Sequence, residues 1–281
     1  MFKRIGLVGV GFMGGSFALA CKDAFECQIF GIDINPQAVK KAKELKVIDD
    51  GSVDIKDLES FKPELVMLAT PVRTFRGIAQ SLCSFLPTEC IVSDMGSVKG
   101  RLVYELEELL GPRFVGGHPI AGTEKSGVEH ALRGLFKGKK FILTPTQRTD
   151  QKAKERIKNL WEGLGSVVEE MDPYLHDEVF GAVSHLPHAV AFALIRAVED
   201  MSKKVDLFKY PGGGFKDFTR IAGSDPVMWR DIFLENSSCV LDALEVYIRA
   251  LEELKRLIRE GKEQELTLYL ERASKKRREL D

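Results

Sequence analysis

Apolar residues at 5–8 precede a glycine-rich turn and a run of small residues at helical spacing. Further apolar runs at 28–32, 64–69, 90–93, 113–116 and 141–144 continue the series, with helical periodicity between them. Strands alternating with helices imply βαβ units, whose right-handed crossovers cover both faces of a parallel sheet. The predicted fold class is therefore α/β: a doubly wound, mostly parallel sheet ending at 141–144, followed by an all-helical C-terminal domain. The strand pattern fades near residue 150. Residues 151–164 read as a helix, 167–169 as a short extended piece, and Asp172-Pro173 as a helix start. The chain then stays helical apart from a break at 210–214. Polar residues at 146–149 place the expected boundary between domains of residues 1–148 and 149–281.

One helical pattern stands apart. Phe233, Ser237, Val240, Leu244, Tyr247, Leu251, Leu254 and Ile258 alternate spacings of four and three, and Leu241, Ile248 and Leu257 widen the seam. Such a face needs partners on more than one side, either within its own domain or in a second copy of the chain, as a homodimer through C-terminal helices. The basic run at 275–278 reads as a solvated helix end that complements the helix dipole rather than as a nucleic-acid patch.

Composition narrows the class. Of 281 residues, 44% are hydrophobic and 30% charged, with a net charge of −1, so neither nucleic acid nor an anionic membrane is strongly attracted overall. Any anionic ligand must be caught by local Lys or Arg. Five scattered cysteines without a CxxC pair suit a reducing, cytoplasmic setting and offer no zinc site. Lys3 and Arg4 before an apolar run are similar to an export signal, but glycines at 6, 9, 11, 14 and 15 interrupt it. No eighteen-residue apolar stretch occurs elsewhere, so no membrane span is expected.

Gly9-Val10-Gly11-Phe12-Met13-Gly14 is a G-x-G-x-x-G placed between a strand and a helix. In that context the first glycine makes the turn, the second admits a pyrophosphate and the third lets helix and strand pack. This is the Rossmann dinucleotide site. Asp33, at the end of the second strand, suits the 2′-hydroxyl of a ribose and repels a 2′-phosphate, which selects NAD. Gly9, Gly11, Phe12, Met13, Gly14 and Asp33 are thus cofactor candidates, joined by Thr70 and Pro71 after the run at 64–69.

The loops after later strands carry the chemistry. Ser93-Asp94-Met95-Gly96-Ser97-Val98-Lys99 follows one strand, and Gly117-His118-Pro119-Ile120-Ala121-Gly122-Thr123-Glu124-Lys125-Ser126-Gly127 follows the next. Ser97 and His118 are the candidate polar groups near a nicotinamide. The segment from His118 to Gly127 resembles that carrying the catalytic histidine in prephenate and arogenate dehydrogenases. Ser184-His185-Leu186-Pro187-His188, the run from Gly212 to Ala222, and Ser224-Asp225-Pro226-Val227-Met228-Trp229 resemble the same family in the same order. The likeness covers nearly the whole chain and matches a monofunctional catalytic core, without a mutase or regulatory segment.

The resemblance implies oxidative decarboxylation of prephenate with hydride transfer to NAD, in tyrosine biosynthesis. Removing the proton from the C4 hydroxyl needs a base with a pKa near neutrality, which imidazole supplies. His118 is the implied base, with Ser97 bonded to the same hydroxyl or to the imidazole. Arg220 is implied for the ring carboxylate, with help from Lys216 and the amides around Gly213, and Asp217 to orient the guanidinium. Thr123 joins the substrate set. His188 is expected at the pyruvyl group, whereas His185 only packs or caps, and the H-x-x-H pair forms no metal site. An arogenate dehydrogenase differs only in substrate. A β-hydroxyacid dehydrogenase would need a catalytic-lysine motif that is not recognisable here. A redox-sensing NAD-binding regulator would leave Ser97, His118 and Arg220 without a purpose.

Overall fold

The computed structural model describes residues 1–280. Its first half runs β1 (Arg4–Val8), α1 (Phe12–Ala24), β2 (Gln28–Ile32), α2 (Pro36–Glu44), β3 (Asp50–Ser52), α3 (Asp57–Phe61), β4 (Leu65–Leu68), α4 (Phe75–Leu82), β5 (Ile91–Asp94), α5 (Gly100–Leu110) and β6 (Phe114–Val115). These six strands form one parallel sheet in the order β3-β2-β1-β4-β5-β6. Alternate side chains enter opposite faces. Leu7 and Met67 join Phe17 and Ile29 on one side, while Val8, Val66 and Leu68 join Phe75 and Leu102 on the other. Val8 is in register with both Ile32 and Leu68, so three neighbouring strands end together. The loops that begin at Gly9, Asp33 and Ala69 leave from that common edge.

The strand expected to end this sheet belongs elsewhere. β7 (Gly117–Pro119), β8 (Lys140–Leu143) and β9 (Val167–Glu170) form a separate three-stranded sheet, β7 antiparallel and β9 parallel to β8. His118 therefore sits in a strand rather than a loop. Between β8 and β9 comes α6 (Gln151–Gly163), N-capped by Asp150, whose Oδ1 accepts from Ala153 N at 2.7 Å. Ala153, Ile157, Leu160 and Trp161 of α6 share a core with Phe2, Phe17 and Phe141. Trp161 stacks on Phe141 with ring centroids 3.9 Å apart. Burying side chains such as Ile157 and Leu160 contributes about 1.5–3 kcal/mol each. The polar stretch at 146–149 is a turn whose Thr146 and Thr149 hydroxyls donate to Glu107. The compact units are Met1–Ser237 and the chain from Ser238 on.

After β9 the chain is helical. Asp172 caps α7 (Pro173–Phe180), a π-helical turn follows over Gly181–His185, and α8 (Leu186–Met201) continues it. Pro187 lacks the N–H that an α-helix needs, and the wider π turn adjusts the helix just before it. The combined run Pro173–Met201 has, by length and composition alone, the hydropathy (1.4) that would suit a membrane-crossing helix, and 22% of that window is buried. It is also the helix that carries His176, Asp177, His185 and His188. Then come α9 (Gly213–Thr219) and α10 (Pro226–Glu235), capped by Asp225.

The long apolar seam is not one helix. Asn236 (φ −108, ψ 34) closes α10, so Phe233 is separated from α11 (Ser237–Glu260). In the second unit α11 turns at Gly261 (φ +61) into α12 (Glu263–Arg278), and the Tyr269 hydroxyl donates to Ala250 O at 3.1 Å. On α11, Val240 and Leu257 are buried, while Leu241, Ile248, Leu251 and Ile258 are 45–61% exposed.

Candidate active site

The glycine motif folds as its spacing demands. Gly9 has φ +98, and a Cβ there would lie 2.7 Å from Ala69 O and 2.9 Å from Thr70 Cγ2. A Cβ on Gly14 would lie 2.0 Å from Gly9 O, so α1 can approach β1 only without a side chain. Gly11 faces open space and caps α1 with no side-chain hydrogen bond, leaving first-turn N–H groups for an anion. Phe12 is buried and Met13 half-buried in the first turn. Asp33 Oδ2 accepts from Val10 N at 2.9 Å, and Oδ1 from Asn35 N at 2.9 Å. Both carboxylate oxygens are thereby fixed at the rim of a cavity of about 760 Å³, lined by Gly11, Asp33, Asn35, Lys40, Lys41 and Val128 among others. Thr70 and Pro71 follow β4, the Thr70 hydroxyl lying 2.7 Å from that of Thr74. A helix N-terminus free of a cap, open space at Gly11 and a tethered carboxylate fit a dinucleotide.

His118 is buried in β7, its Nδ1 2.9 Å from His176 Nε2. His176 Nδ1 in turn lies 2.9 Å from Asp177 Oδ1. An ionised carboxylate only accepts, so His176 Nδ1–H donates to it and Nε2 must accept. His118 Nδ1–H then donates to His176, which leaves the lone pair of His118 on Nε2. The relay thus fixes which nitrogen can take a proton. Burial pushes His118 well below the usual imidazole value, with His176, Lys99 and His185 adding to the effect, and it pushes His176 down to about 2. The pKa of His118 thus lies below the near-neutral value expected for the base, because a buried imidazole is poorly solvated as a cation. Burial also raises Asp177 to about 6, against the opposing backbone hydrogen bond from Lys99.

Asp177 is held from a second side. Its Oδ1 accepts from Lys99 N at 2.8 Å at the start of α5, where a Cβ on Gly100 would lie 2.5 Å from Oδ2. Lys99 forms a buried ion pair with Asp94, whose Oδ2 also accepts from Gly96 N at 2.8 Å and Oδ1 from Gly117 N at 3.1 Å. Ser97, half-buried in the same loop, makes no hydrogen bond to the imidazole. Its backbone lies near His185, whose Nε2 still lacks a well-directed partner. His185 does more than pack: Asn236 Nδ2 donates to Asp177 O at 2.9 Å and lies 3.1 Å from His185 Nδ1.

The expected substrate groups are gathered unevenly. His188 stacks on Trp229, centroids 3.6 Å apart, and its Nδ1–H donates to Ser184 O at 2.9 Å, which leaves Nε2 as acceptor. Burial lowers the His188 pKa, against the hydrogen bond to Ser184 O, and the Arg220 charge adds to the lowering. Arg220 pairs at 2.9 Å with Glu124 rather than with Asp217, because the loop after β7 brings that carboxylate across to it. Gly213, Lys216 and Asp217 lie on exposed α9, and Thr123 is exposed beside Lys125, whose N–H it accepts at 3.2 Å. His176 and Asp177 escaped the sequence reading, since a His-Asp pair at a helix start has no local mark of a partner 58 residues away.

A glycine cradle with a tethered acidic residue, together with a buried relay that ends in an imidazole, is the equipment of a dinucleotide-dependent oxidoreductase. Residues 17–170 match the prephenate dehydrogenase nucleotide-binding domain and residues 172–272 the prephenate dehydrogenase dimerization domain. The chain is 38% identical to prephenate dehydrogenase of Bacillus subtilis (strain 168), over 97% of its own length and 75% of that protein's. A crystal structure of prephenate dehydrogenase from A. aeolicus, in complex with hydroxyphenyl propionate and NAD+, is 57% identical with a TM-score of 0.97, covering 100% of this chain and 99% of that one. Arogenate dehydrogenase of Synechocystis is 28% identical with a TM-score of 0.80, covering 99% of this chain and 100% of that one. The chain belongs to the prephenate dehydrogenase family.

Proposed function

We propose that this protein oxidises and decarboxylates prephenate to 4-hydroxyphenylpyruvate, using NAD, as a step of tyrosine biosynthesis. The observation that carries the reading is the His118–His176–Asp177 relay, at 2.9 Å for each contact, on a family whose A. aeolicus member was crystallised with NAD+ and a hydroxyphenyl acid. NAD, when bound in the glycine cradle, supplies the hydride acceptor. His118 Nε2 accepts the proton of the C4 hydroxyl as hydride leaves that carbon, and loss of CO₂ then makes the ring aromatic. Ser97 holds the hydroxyl in line. Arg220 meets the ring carboxylate, which takes the place of Glu124 as its partner. His188, with Nε2 free to act, faces the side chain, and Gly213, Lys216, Asp217 and Thr123 complete the substrate's surroundings. The residues mainly orient and exclude water, since aromatisation provides much of the driving force.

Two further features belong to this reading. The exposed apolar positions of α11 and the thinly buried Pro173–Met201 helix are covered by a second copy in a homodimer, consistent with the dimerization-domain match. A bilayer is a poor alternative cover, since that helix carries Asp177 and three histidines. The setting is cytoplasmic, where scattered free thiols persist. The test follows NADH absorbance after adding prephenate, then arogenate. Turnover of prephenate with NAD, well above that of arogenate, is the expected result. Turnover of arogenate alone would reassign the substrate, and turnover of neither would overturn the activity.

A further inference from the structure

We propose that the buried Asp94–Lys99 pair is a positioning device that sets Ser97, His118 and the Asp177 carboxylate in register with one another. The inference rests on the dehydrogenase reading above and adds two buried residues that act through others. Asp94 ends β5 and makes three contacts. Oδ2 takes the Gly96 N–H at 2.8 Å, one residue before Ser97, and Oδ1 takes the Gly117 N–H at 3.1 Å, one residue before His118. The third is the Lys99 ammonium. Lys99 N then donates at 2.8 Å to Asp177 Oδ1, the same oxygen that receives His176 Nδ1–H. Six residues of one loop therefore tie the serine's turn, the base's strand and the carboxylate of the relay to a single point.

Stability alone is a poor reason to keep such a pair. Both side chains are 1% exposed, and an ion pair stripped of water is often matched or bettered by apolar residues of similar volume. Burial pushes Asp94 up and Lys99 down, each pulled back by the other. What an apolar pair cannot do is receive two N–H groups and hold a cation in place. Gly96 allows the tight loop: a Cβ there would lie 2.8 Å from Val72 Cγ1 and 2.9 Å from both Asp94 Oδ2 and Phe75 Cε2. The Lys99 charge also disfavours protonation of His118 and His176. The groups around the base are then His176 and Asp177 from α7, His185 from the π turn, and Lys99 with Asp94 from the β5 loop.

The experiment compares wild type with Asp94→Leu/Lys99→Met and with Lys99→Met, for melting temperature, steady-state kinetics and the pH dependence of kcat. Long-range proton–nitrogen NMR of the histidine rings, without substrate, reports the His118 tautomer. The double variant is expected to fold and bind NAD as wild type does, with kcat about 100-fold lower, as for an ångström-scale misplacement of reacting groups. Its acid limb should move to higher pH, and the single Nδ1–H tautomer of His118 should be lost. Lys99→Met keeps most of the stem's volume and leaves Asp94 free to take up a proton, so it serves if the double variant does not fold. Wild-type kcat, pH profile and tautomer in either folded variant would overturn the proposal. Unfolding of Lys99→Met would also overturn it, marking the pair as a stabiliser. Wild-type failure to oxidise prephenate would count against the substrate reading alone, because the tautomer is read without substrate.

Discussion

The cofactor cradle and the proton relay are built in opposite ways. The cradle is a contiguous hexapeptide plus Asp33, and its geometry follows from missing Cβ atoms and one helix N-terminus. The relay draws on β5, α5, β7 and α7, joins residues up to 83 apart (94 to 177), and depends on burial. A local motif can be lost by one added methyl group. A dispersed one fails through changes in tautomer, charge or register, often with the fold intact.

Substitutions should separate the two. The largest effect is expected from His118→Asn: kcat falls by roughly 10²–10⁴ while NAD affinity changes little, as for removal of a general base. Near-normal turnover would dissolve the relay's role. Next, Arg220→Gln should raise KM for prephenate about 10–100-fold, the 1.5–3 kcal/mol of a charged hydrogen bond, with kcat falling less. If KM for NAD rises instead, Arg220 belongs to the cradle side of the comparison. Asp33→Ser should move the NADP-to-NAD preference by about tenfold, equal to 1.4 kcal/mol, and leave kcat with NAD nearly unchanged. A wild-type enzyme that already prefers NADP would contradict the Asp33 assignment. Leu251→Glu is the mildest for chemistry. Leu251 is 45% exposed in the single chain, so the charge is tolerated there but not in a dimer interface. Light scattering should give a monomer for the variant and a dimer for wild type.

The same contrast explains what the sequence could reveal. The parallel sheet was legible because β1, β2, β4 and β5 are apolar runs; β3, Asp-Gly-Ser, was missed because it carries no apolar residue at all. β8 is as apolar as the central strands, and nothing local told that it pairs with β7 and β9 instead. α6 has a largely polar composition, and its packing is carried by a few residues such as Trp161, which stacks on Phe141. At the proposed site, motif and position single out Gly9, Gly11, Gly14, Asp33 and His118 as candidates. They do not single out the partners of His118 and Arg220, since His176 and Glu124 reach them only through tertiary packing.

The claim that His118 is made a base by its relay is tested most directly by the pH dependence of kcat for prephenate in wild type and Asp177→Asn. Asp177 lies at about 6, raised by burial, while His118 is pushed well below the ordinary imidazole value. As pH falls through about 6, Asp177 takes up a proton and no longer anchors His176 Nδ1–H, so the wild-type rate should fall there. In Asp177→Asn that limb should vanish, leaving a rate about 10–100-fold lower, within the range of an acid–base contribution, and flat until His118 itself titrates at lower pH. An unchanged limb near 6 in Asp177→Asn would contradict the relay, and the proton acceptor would then have to be a histidine titrating on its own.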